Sequence, residues 1–436
     1  MNPTGIEGHL KLVLLEWIII IAAAYFCGRL GRRWGQPLAV GEIAAGLLLG
    51  PSALGLVWPA NWPALFPPET QQSLQLLGKL GLVFLLFQVG MEFDYSHLRS
   101  RSGTVTAVSL LGILGPVACG LAIGPWLHER FAAETPRFGF QLFLCIALSI
   151  SALPIMGRIL LEMRLERTAI GALAISAAAV DDVIGWILLG LATVLCTTKF
   201  VWWLFLLQAA GIGAFYFLLQ RGIGPQLRRL WRARTAASGD GTMPASFLAL
   251  LLVGLFTCCL VTHELGIFVI FGAFLFGTCL HQEASLVKAW RDRFSDVVLV
   301  AFVPIFFTNT GLNTRIGSLE TPTAWLACAM VLLAAIVGKL GGCYLAGRYT
   351  GQTARDAGCI AALMNTRALM GLIAINVGLE LKLLNQAMFA MLVIMALATT
   401  ALCGPLLRWW LPGHLQSTIP DGNAGIKPVT SPTVAR

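Results

Sequence analysis

The feature that most constrains the fold of this chain is a succession of long apolar segments separated by short polar ones. Windows of roughly 20 residues, the length that crosses a bilayer as a helix, give about thirteen such segments. Only 12% of the residues are charged, whereas a soluble domain has about 25%. The sequence therefore predicts an all-α polytopic membrane protein with about 13 transmembrane helices. The first segment, from Leu12 to Cys27, has no basic start or clear cleavage site, so we expect a transmembrane helix there and not a signal peptide.

Basic residues are concentrated in alternate loops between these segments. They comprise Arg29, Arg32 and Arg33 in the first loop and a later cluster of Arg221, Arg228, Arg229, Arg232 and Arg234. Because Lys and Arg favour the cytoplasmic side, the N-terminus is expected outside and the C-terminus inside the plasma (inner) membrane. The formal charge of +9 is explained by this topology, so no nucleic-acid partner is predicted. The eleven cysteines lack a CxxC pair or Cys/His ligand spacing, and neither a disulfide, a zinc site nor another cofactor is expected.

Two adjacent acids, Asp181 and Asp182, lie in the middle of the apolar run from Ala177 to Trp186. Each charge at that depth costs about 2.5–3.5 kcal/mol, and such residues usually mark an ion or proton path. Neighbouring helical residues point about 100° apart, so the two acids cannot face one point. One acid is therefore expected to form a salt bridge while the other faces a cavity.

Two basic residues lie within other apolar runs. Lys339 is the natural partner for one of the acids, because an uncompensated ammonium at that depth would tend to lose its proton. For Arg367 two roles remain open, neutralising the carbonyl ends of a broken helix or taking part in transport.

The two halves of the chain resemble each other. The run FLLFQVGM matches IFFTNTGL, with Gly311 standing 221 residues after Gly90, and Gly342 stands 222 residues after Gly120. The offset spans seven predicted helices, so the two copies cross the membrane in opposite directions, as in inverted-repeat secondary transporters. A chance match between two Gly- and Phe-rich helices is the alternative. The resulting division is a first repeat plus linker helix over 1–220, a cytoplasmic basic loop over 221–243, a second repeat over 244–411 and a short cytoplasmic tail over 412–436.

The fifth and twelfth segments correspond to each other in this repeat, and both contain residues that interrupt helices. The fifth contains Ser149, Ser151 and Pro154, and the twelfth contains Asn365, Thr366 and Arg367. A proline removes a helical hydrogen bond and frees a carbonyl, and inverted repeats place substrate beside interrupted helices near the bilayer midplane. We therefore expect both helices to be broken, although a simple packing kink is the alternative for Pro154.

These segments carry a resemblance to a known family. The regions from Ala147 to Gly190 and from Asn365 to Leu407, which include SISALP, AVDDVIGW and NTRALMG, resemble the second monovalent cation:proton antiporter family. That family includes Kef-type bacterial exchangers and plant cation/proton exchangers, and FLLFQVGMEFD and PIFFTNTGL fit it too. The resemblance covers nearly the whole chain. It implies the sodium/proton antiporter fold, with thirteen helices, a homodimerisation domain and a mobile core around two crossed, interrupted helices.

The resemblance also implies roles for the charged residues. In sodium/proton members of the family the second acid of an Asp-Asp pair binds the ion and the first pairs with a lysine. This implies that Asp182 binds a monovalent cation and that Asp181 and Lys339 are its proton-linked neighbours. Oxygen ligands are then expected from the hydroxyls of Ser149 or Ser151 and from carbonyls near Pro154.

Cation choice is less constrained. The Asp-Asp pair favours sodium, whereas the SISALP and NTRALM context is typical of potassium-type relatives, in which Asn-Asp is usual. Ala368 stands where a glycine commonly follows the family arginine, and Gly371 stands where an acid is common in the plant members. Sodium is favoured, and potassium is the alternative.

The expected function is secondary active exchange of one monovalent cation for protons in pH homeostasis, with no enzymatic activity. Protons and the cation compete for Asp182, and this competition is coupled to an elevator-like movement of the core. The alternatives are a cation channel and an exporter of an organic compound on the same fold. An intramembrane aspartyl protease is disfavoured, because its acids must converge on one water. No GxGxxG fingerprint follows a strand near the C-terminus, so regulation by NAD or glutathione through a fused domain is not expected, whereas a separate regulatory subunit remains open.

Overall fold

A computed structural model describes most of the chain. The described residues are 5–33, 36, 38–92, 102–163, 165, 168–197, 202–238, 243–265 and 269–411. Every regular element among them is a helix, as the apolar segments predict. The expected cytoplasmic tail, 412–436, lies outside the described residues, as do positions 239–242 of the expected basic loop.

The first half of the chain forms a series of helices that includes one interruption. They are α1 (Ile6–Arg33), α2 (Leu38–Leu49), α3 (Pro68–Glu92), α4 (Ser102–Phe131), α5 (Arg137–Ser149), α6 (Leu153–Glu162) and α7 (Ala169–Thr197). Two one-turn helices, Leu54–Val57 and Trp62–Leu65, connect α2 to α3. Next come α8 (Trp202–Leu218), a π-helical turn (Leu219–Ile223) and α9 (Gly224–Ser238).

The second half also contains a pair of short helices that corresponds to the interrupted pair α5 and α6. Its helices are α10 (Ala245–Glu264), α11 (Val269–Thr278), α12 (Ala284–Trp290), α13 (Val303–Leu312), α14 (Pro322–Tyr349), α15 (Ala354–Met364), α16 (Ala368–Glu380) and α17 (Gln386–Trp410), and α15 and α16 form this pair. Two π-helical turns, Arg291–Ser295 and Val298–Phe302, lie between α12 and α13, and a 3-10 turn, Ile316–Ser318, follows α13.

Two close helix contacts relate the halves to each other. At Gly90 in α3 an added Cβ would lie 2.3 Å from the carbonyl oxygen of Phe274 in α11. At Gly311 in α13, its counterpart in the sequence match, an added Cβ would lie 2.6 Å from the backbone of Gly46 in α2. Each contact joins a helix of one half to a helix of the other. This exchange of equivalent contacts is what two halves related by two-fold pseudosymmetry produce, and only glycine allows backbones to approach so closely.

The length and apolar composition of the helices indicate a multi-pass membrane protein. Eight helices of the described residues are long and apolar enough to span a bilayer, or nine if one bent pair counts as a single span. The predicted number of thirteen is not confirmed by this measure, because interruptions divide some segments into short helices. Thus α11 has 10 residues and is about 15 Å long, roughly half the thickness of the hydrocarbon core.

The segment expected to be a basic loop is corrected by the structure. Residues Gly224–Ser238 of this segment are helical. Trp231 is fully buried, its ring lies 5.1 Å from that of Phe247, and its Nε1 donates to Ser285 Oγ at 2.9 Å. The apolar face of α9 therefore packs on the second half. These tertiary contacts stabilise a helix in a segment whose many arginines had indicated a loop.

Apart from α8 and α9, the helices form two bundles, and each helix packs chiefly against others of its own bundle. The scaffold bundle consists of α1–α3 and α10–α13, and the core bundle consists of α4–α7 and α14–α17. The largest helix contacts lie inside one bundle or the other, such as α4 with α14 and α3 with α11. Between bundles, α17 meets α2 and the Ile316–Ser318 turn. The Asp pair on α7 and Lys339 on α14 thus belong to the same bundle.

Candidate ion-binding site

The two interrupted helices predicted from the sequence are present, and their breaks contact each other. Helix α5 ends at Ser149 and α6 begins at Leu153, while α15 ends at Met364 and α16 begins at Ala368. The backbone N–H of Ala152 donates to the carbonyl of Thr366 at 2.8 Å. We call this contact between residues 150–152 and 365–367 the break junction.

The first break is built by an extended residue followed by a new helix start. Ile150 has φ −70° and ψ 134°, so the α5 helix cannot continue through it. Pro154 is the second residue of α6, a position at which no intrahelical N–H bond is required. The proline is therefore compatible with a helix start, and the structure has the interrupted helix that the sequence predicts, not the alternative of a packing kink within a continuous helix.

Asp181 and Lys339 form a buried ion pair at this junction. Lys339 Nζ lies 2.5 Å from Asp181 Oδ2, and both side chains are fully buried. Lys339 also donates to the carbonyl of Ser149, the last residue of α5, at 2.6 Å. Cationic groups are favourable at helix C-termini, where carbonyls lack partners. One ammonium thus pairs with the acid and caps the broken helix.

Two serine hydroxyls complete the surroundings of Asp181. Ser109 Oγ of α4 donates to Asp181 Oδ1 at 2.7 Å, and Ser151 Oγ donates to Asp181 Oδ2 at 2.8 Å. The carboxylate therefore accepts hydrogen bonds from three other segments of the core bundle. A carboxylate can remain charged in a buried position when its oxygens accept hydrogen bonds and pair with a cation in this way.

Asp182 has very different surroundings from its neighbour. Its side chain is buried, with 2% of the residue exposed, and Oδ1 has no hydrogen-bond partner among the described residues. The backbone N–H of Leu153, at the start of α6, interacts with this carboxylate. The N-terminus of a helix favours an anion. An acid with an unused oxygen beside a helix start is chemically suited to bind a cation or a proton.

The side-chain contacts of Arg367 with described residues lead to other helices, and not to the carbonyl ends of the broken helices. It is fully buried, and its Nη2 donates to the carbonyl of Ala335 at 2.7 Å, within the continuous helix α14. Its Nη1 contacts the sulfur of Met395 at 3.5 Å. Ala335 lies one helical turn before Lys339, so Arg367 fastens the second break to the part of α14 that carries the lysine.

The remaining polar residues of the breaks bond mainly to nearby backbone. Ser149 Oγ donates to the carbonyl of Ile146 at 3.1 Å, and Thr366 Oγ1 donates to that of Leu363 at 2.8 Å. Asn365 Nδ2 lies 3.5 Å from the carbonyl of Thr399, while its Oδ1 lacks a partner among the described residues. The hydroxyl hydrogens of Ser149 and Ser151 are thus directed to partners other than Asp182. Their expected role as cation ligands stays a prediction.

Sequence reasoning missed two residues of the site. Ser109 follows Thr104 and Thr106 in α4, and nothing in its sequence context indicates that it, and not they, reaches another helix. Thr400 of α17 accepts the backbone N–H of Arg367 at 3.3 Å, and threonines in apolar helices commonly bond to their own backbone. The contacts of Ser109 and Thr400 with other helices depend on how the helices pack, which the sequence does not show.

The buried charges of the core balance one another. Asp181, Asp182, Lys339 and Arg367 are all buried, two acids with two bases. If all four are ionised, the group carries no net charge, and a proton or a monovalent cation at Asp182 each adds one positive charge. The two occupants are therefore electrostatically equivalent at this position.

Comparison with known proteins identifies a family over most of the chain. Residues 18–412 match the family described as "Sodium/hydrogen exchanger, transmembrane". The Na(+)/H(+) antiporter NhaS4 of Synechocystis is 35% identical over 402 residues, which cover 91% of this chain and 97% of that protein. Cation/H(+) antiporter 20 of Arabidopsis thaliana is 33% identical over 90% of this chain. The match covers 48% of the Arabidopsis protein, so the chain spans about half the length of this plant relative.

A solved structure gives the same fold at low sequence identity. The sodium proton antiporter MjNhaP1 from Methanocaldococcus jannaschii superposes with a TM-score of 0.62 at 14% identity. The superposition covers 94% of this chain and 99% of that structure. The fold expected from the sequence is confirmed by this likeness.

Proposed function

The chain belongs to the sodium/hydrogen exchanger family, whose members exchange cations for protons, and we propose that its exchange takes place at Asp182. The observation that supports this proposal is the contrast between the adjacent acids. Asp181 accepts donors from Ser109, Ser151 and Lys339, whereas Asp182 keeps an unpartnered oxygen in a buried position. A buried carboxylate oxygen without a hydrogen-bond partner is destabilised, and either a proton or a cation at that oxygen relieves this cost. Competition between the two at one acid couples their fluxes.

Movement of the core bundle relative to the scaffold bundle would expose this site alternately to the two sides of the membrane. Asp182 is buried, so it needs a conformational change to exchange ions with water. The core helices contact the scaffold far less than they contact each other, and a bundle packed in this way can move as a unit. These features support an elevator-like mechanism.

Sodium is the favoured cation, with potassium as the alternative. The Asp-Asp pair with its lysine favours sodium, and the Synechocystis relative is named a sodium/proton antiporter. A 25% identical relative from Saccharomyces cerevisiae is named K(+)/H(+) antiporter 1, in keeping with the potassium-type context of the breaks. Oxygen ligands suit both ions, and their number and spacing around Asp182 would decide the preference.

The proposed location is the plasma membrane, with the N-terminus outside and the C-terminus inside. The arginines of α9, which connects the two halves, support a cytoplasmic position for that helix. We also propose a homodimer, from the resemblance to the family. The outward apolar side chains of α1, such as Ile18 with 65% exposure, would face lipid or the second subunit.

The decisive experiment is the exchange of Asp182 for Asn in protein reconstituted into vesicles. Asn preserves the volume and removes the charge that both ions require. We expect Asp182→Asn to abolish proton movement driven by a sodium gradient or a potassium gradient, while the protein keeps its thermal unfolding transition. Asp292→Asn, at an exposed acid outside the core bundle, is the matched control and should transport normally. Exchange retained by Asp182→Asn would refute the assignment.

A further inference from the structure

The connection between α13 and α14 carries the chain from the scaffold bundle to the core bundle. It runs from Leu312 to Pro322 and contains the 3-10 turn Ile316–Ser318. Among the passages between the two bundles, this one lies wholly within the described residues. Helix α14 carries Lys339, so this connection has to accommodate any movement of the ion-binding core relative to the scaffold.

Ser52 holds the scaffold end of this connection. It lies in the turn that follows α2 of the scaffold bundle. Its Oγ donates to the carbonyl oxygen of Thr314 at 2.7 Å and accepts the backbone N–H of Ile316 at 2.9 Å. A hydroxyl has one donor hydrogen and two acceptor lone pairs, so Ser52 makes both hydrogen bonds at the same time. Thr314 and Ile316 are therefore both tied to the scaffold.

Helix α13 is itself fixed to α2 by close backbone packing. An added Cβ at Gly46 of α2 would lie 2.2 Å from the carbonyl oxygen of Thr308 in α13. The hydroxyl of Thr308 also donates to the backbone carbonyl of Glu42 at 3.2 Å. Backbones that approach so closely leave little room for sliding. The chain from α13 as far as Ile316 thus belongs mechanically to the scaffold.

The core end of the connection is fixed in a different way. Thr321 caps α14, since its Oγ1 accepts the backbone N–H of Ala324 at 3.2 Å, and Leu319 is buried. Gly317, between the two fixed ends, is exposed. An added Cβ there would meet no atom within 4 Å, and its φ is not positive. Neither close packing nor the backbone conformation requires a glycine at this position in the present state.

We propose that Ser52 is a positioning residue for exchange, which fixes the connection up to Ile316 so that movement of the core bends the chain at Gly317. This inference rests on the elevator-like movement of the proposed function. Hinges are usually a few residues at the ends of elements that absorb large changes of φ and ψ. Glycine reaches left-handed conformations without a steric cost. The two Ser52 hydrogen bonds prevent the residues before Gly317 from sharing the bend.

The first test is Gly317→Ala in reconstituted vesicles. Because an L-residue in a left-handed conformation is disfavoured, the maximal proton flux driven by a sodium or potassium gradient should fall by about five- to thirtyfold. The cation concentration at half-maximal flux should not change, because the connection lies outside the Asp182 site. Thermal unfolding should not shift downward, because the added Cβ has room. Gly341→Ala, the same change in α14 at a glycine with equal room, is the matched control and should transport normally.

The second test combines this change with loss of the Ser52 hydroxyl. Ser52→Ala removes both hydrogen bonds, so residues 314–316 become free to take up the bend. The double variant Ser52→Ala/Gly317→Ala should therefore transport faster than Gly317→Ala alone. Ser52→Thr keeps the hydroxyl, and Ser52→Thr/Gly317→Ala should remain slow. A purely structural role of Ser52 predicts the opposite order, because two destabilising changes then add.

Hydrogen exchange at the amide of Ile316 measures the anchor without transport. In lipid nanodiscs this amide should exchange about two- to tenfold faster in Ser52→Ala than in the unaltered protein, the range for one neutral hydrogen bond. If Ser52→Ala does not fold, Ser52→Cys supplies a weaker donor and acceptor and takes its place in both experiments.

Three results would overturn the inference. They are Gly317→Ala protein with the maximal flux of the unaltered protein, a double variant no faster than Gly317→Ala, and an Ile316 amide that exchanges equally fast with and without the Ser52 hydroxyl. Exchange retained by Asp182→Asn would refute the assignment of the ion-binding acid and leave each of these three measurements interpretable. Failure of the hinge and failure of the ion site are therefore distinguishable.

Discussion

Asp181 and Lys339 are separated by 158 positions in the chain, yet their charged atoms lie 2.5 Å apart. The pair joins α7 in the first half to α14 in the second, and no part of either side chain is exposed. Removing one partner of a buried pair leaves an uncompensated charge and typically costs about 3–5 kcal/mol, whereas replacing both partners costs much less. The pair can therefore be tested for transport separately from stability.

The first prediction concerns membrane voltage. If the Asp181–Lys339 pair carries a proton in addition to the one that competes at Asp182, two protons move against one cation and exchange is electrogenic. Proton flux of the unaltered protein should then respond to an imposed potential, and Lys339→Gln or Asp181→Asn should alter that response. The double variant Asp181→Asn/Lys339→Gln is the control for buried charge. If the proton flux of the unaltered protein does not depend on membrane voltage, one-for-one exchange is favoured.

A second prediction concerns the cation. Vesicles containing the purified protein are exposed in turn to sodium, lithium, potassium and rubidium gradients, and internal pH is followed with a dye. Because the Asp-Asp pair favours sodium, we expect the largest proton flux with sodium. A response to potassium and rubidium without one to sodium would reverse the preference. Empty vesicles and Asp182→Asn protein give the background.

The third prediction uses an ion pair between the two bundles. Lys79 on α3 of the scaffold lies 3.1 Å from Glu380 at the end of α16 in the core, and both side chains are about half exposed. An exposed pair contributes at most about 1 kcal/mol, so it can break during each cycle. In the variant Lys79→Cys/Glu380→Cys, a reducible bifunctional thiol reagent should stop exchange, and reduction should restore it.

Each single cysteine variant is treated in the same way and should remain active, which controls for the eleven native cysteines. Full activity of the cross-linked double variant would contradict movement of the core bundle against the scaffold at this position.

A fourth prediction compares two neighbouring glycines of α14. An added Cβ at Gly342 would lie 2.3 Å from the carbonyl oxygen of Leu111 in α4, whereas one at Gly341 meets no atom within 4 Å. Gly342→Ala should lower stability by about 1–3 kcal/mol through overpacking. Gly341→Ala should be neutral or raise stability by up to about 1 kcal/mol, because alanine favours helices. Thermal unfolding in detergent measures both, and equal effects would contradict the close α4–α14 contact.

The sequence alone determined the membrane class, the interrupted helices and the short list of buried charged residues. The reason is the bilayer, which imposes a cost on every charge and every break in a long apolar helix. Asp181, Asp182, Lys339 and Arg367 therefore stood out individually. The residue pattern alone did not decide which acid pairs with Lys339. The resemblance to the antiporter family indicated Asp181.

Only the tertiary structure decided which polar atoms bond to one another. Ser149 donates to the carbonyl of Ile146 within its own helix, whereas Ser109 reaches Asp181 on another helix, and the two serines look alike in apolar sequence. Likewise Arg367 reaches α14 and not a broken helix end. Hydrogen bonds between helices depend on how the helices rotate and cross, and this is fixed by packing across the whole bundle, including the glycine contacts that bring backbones together.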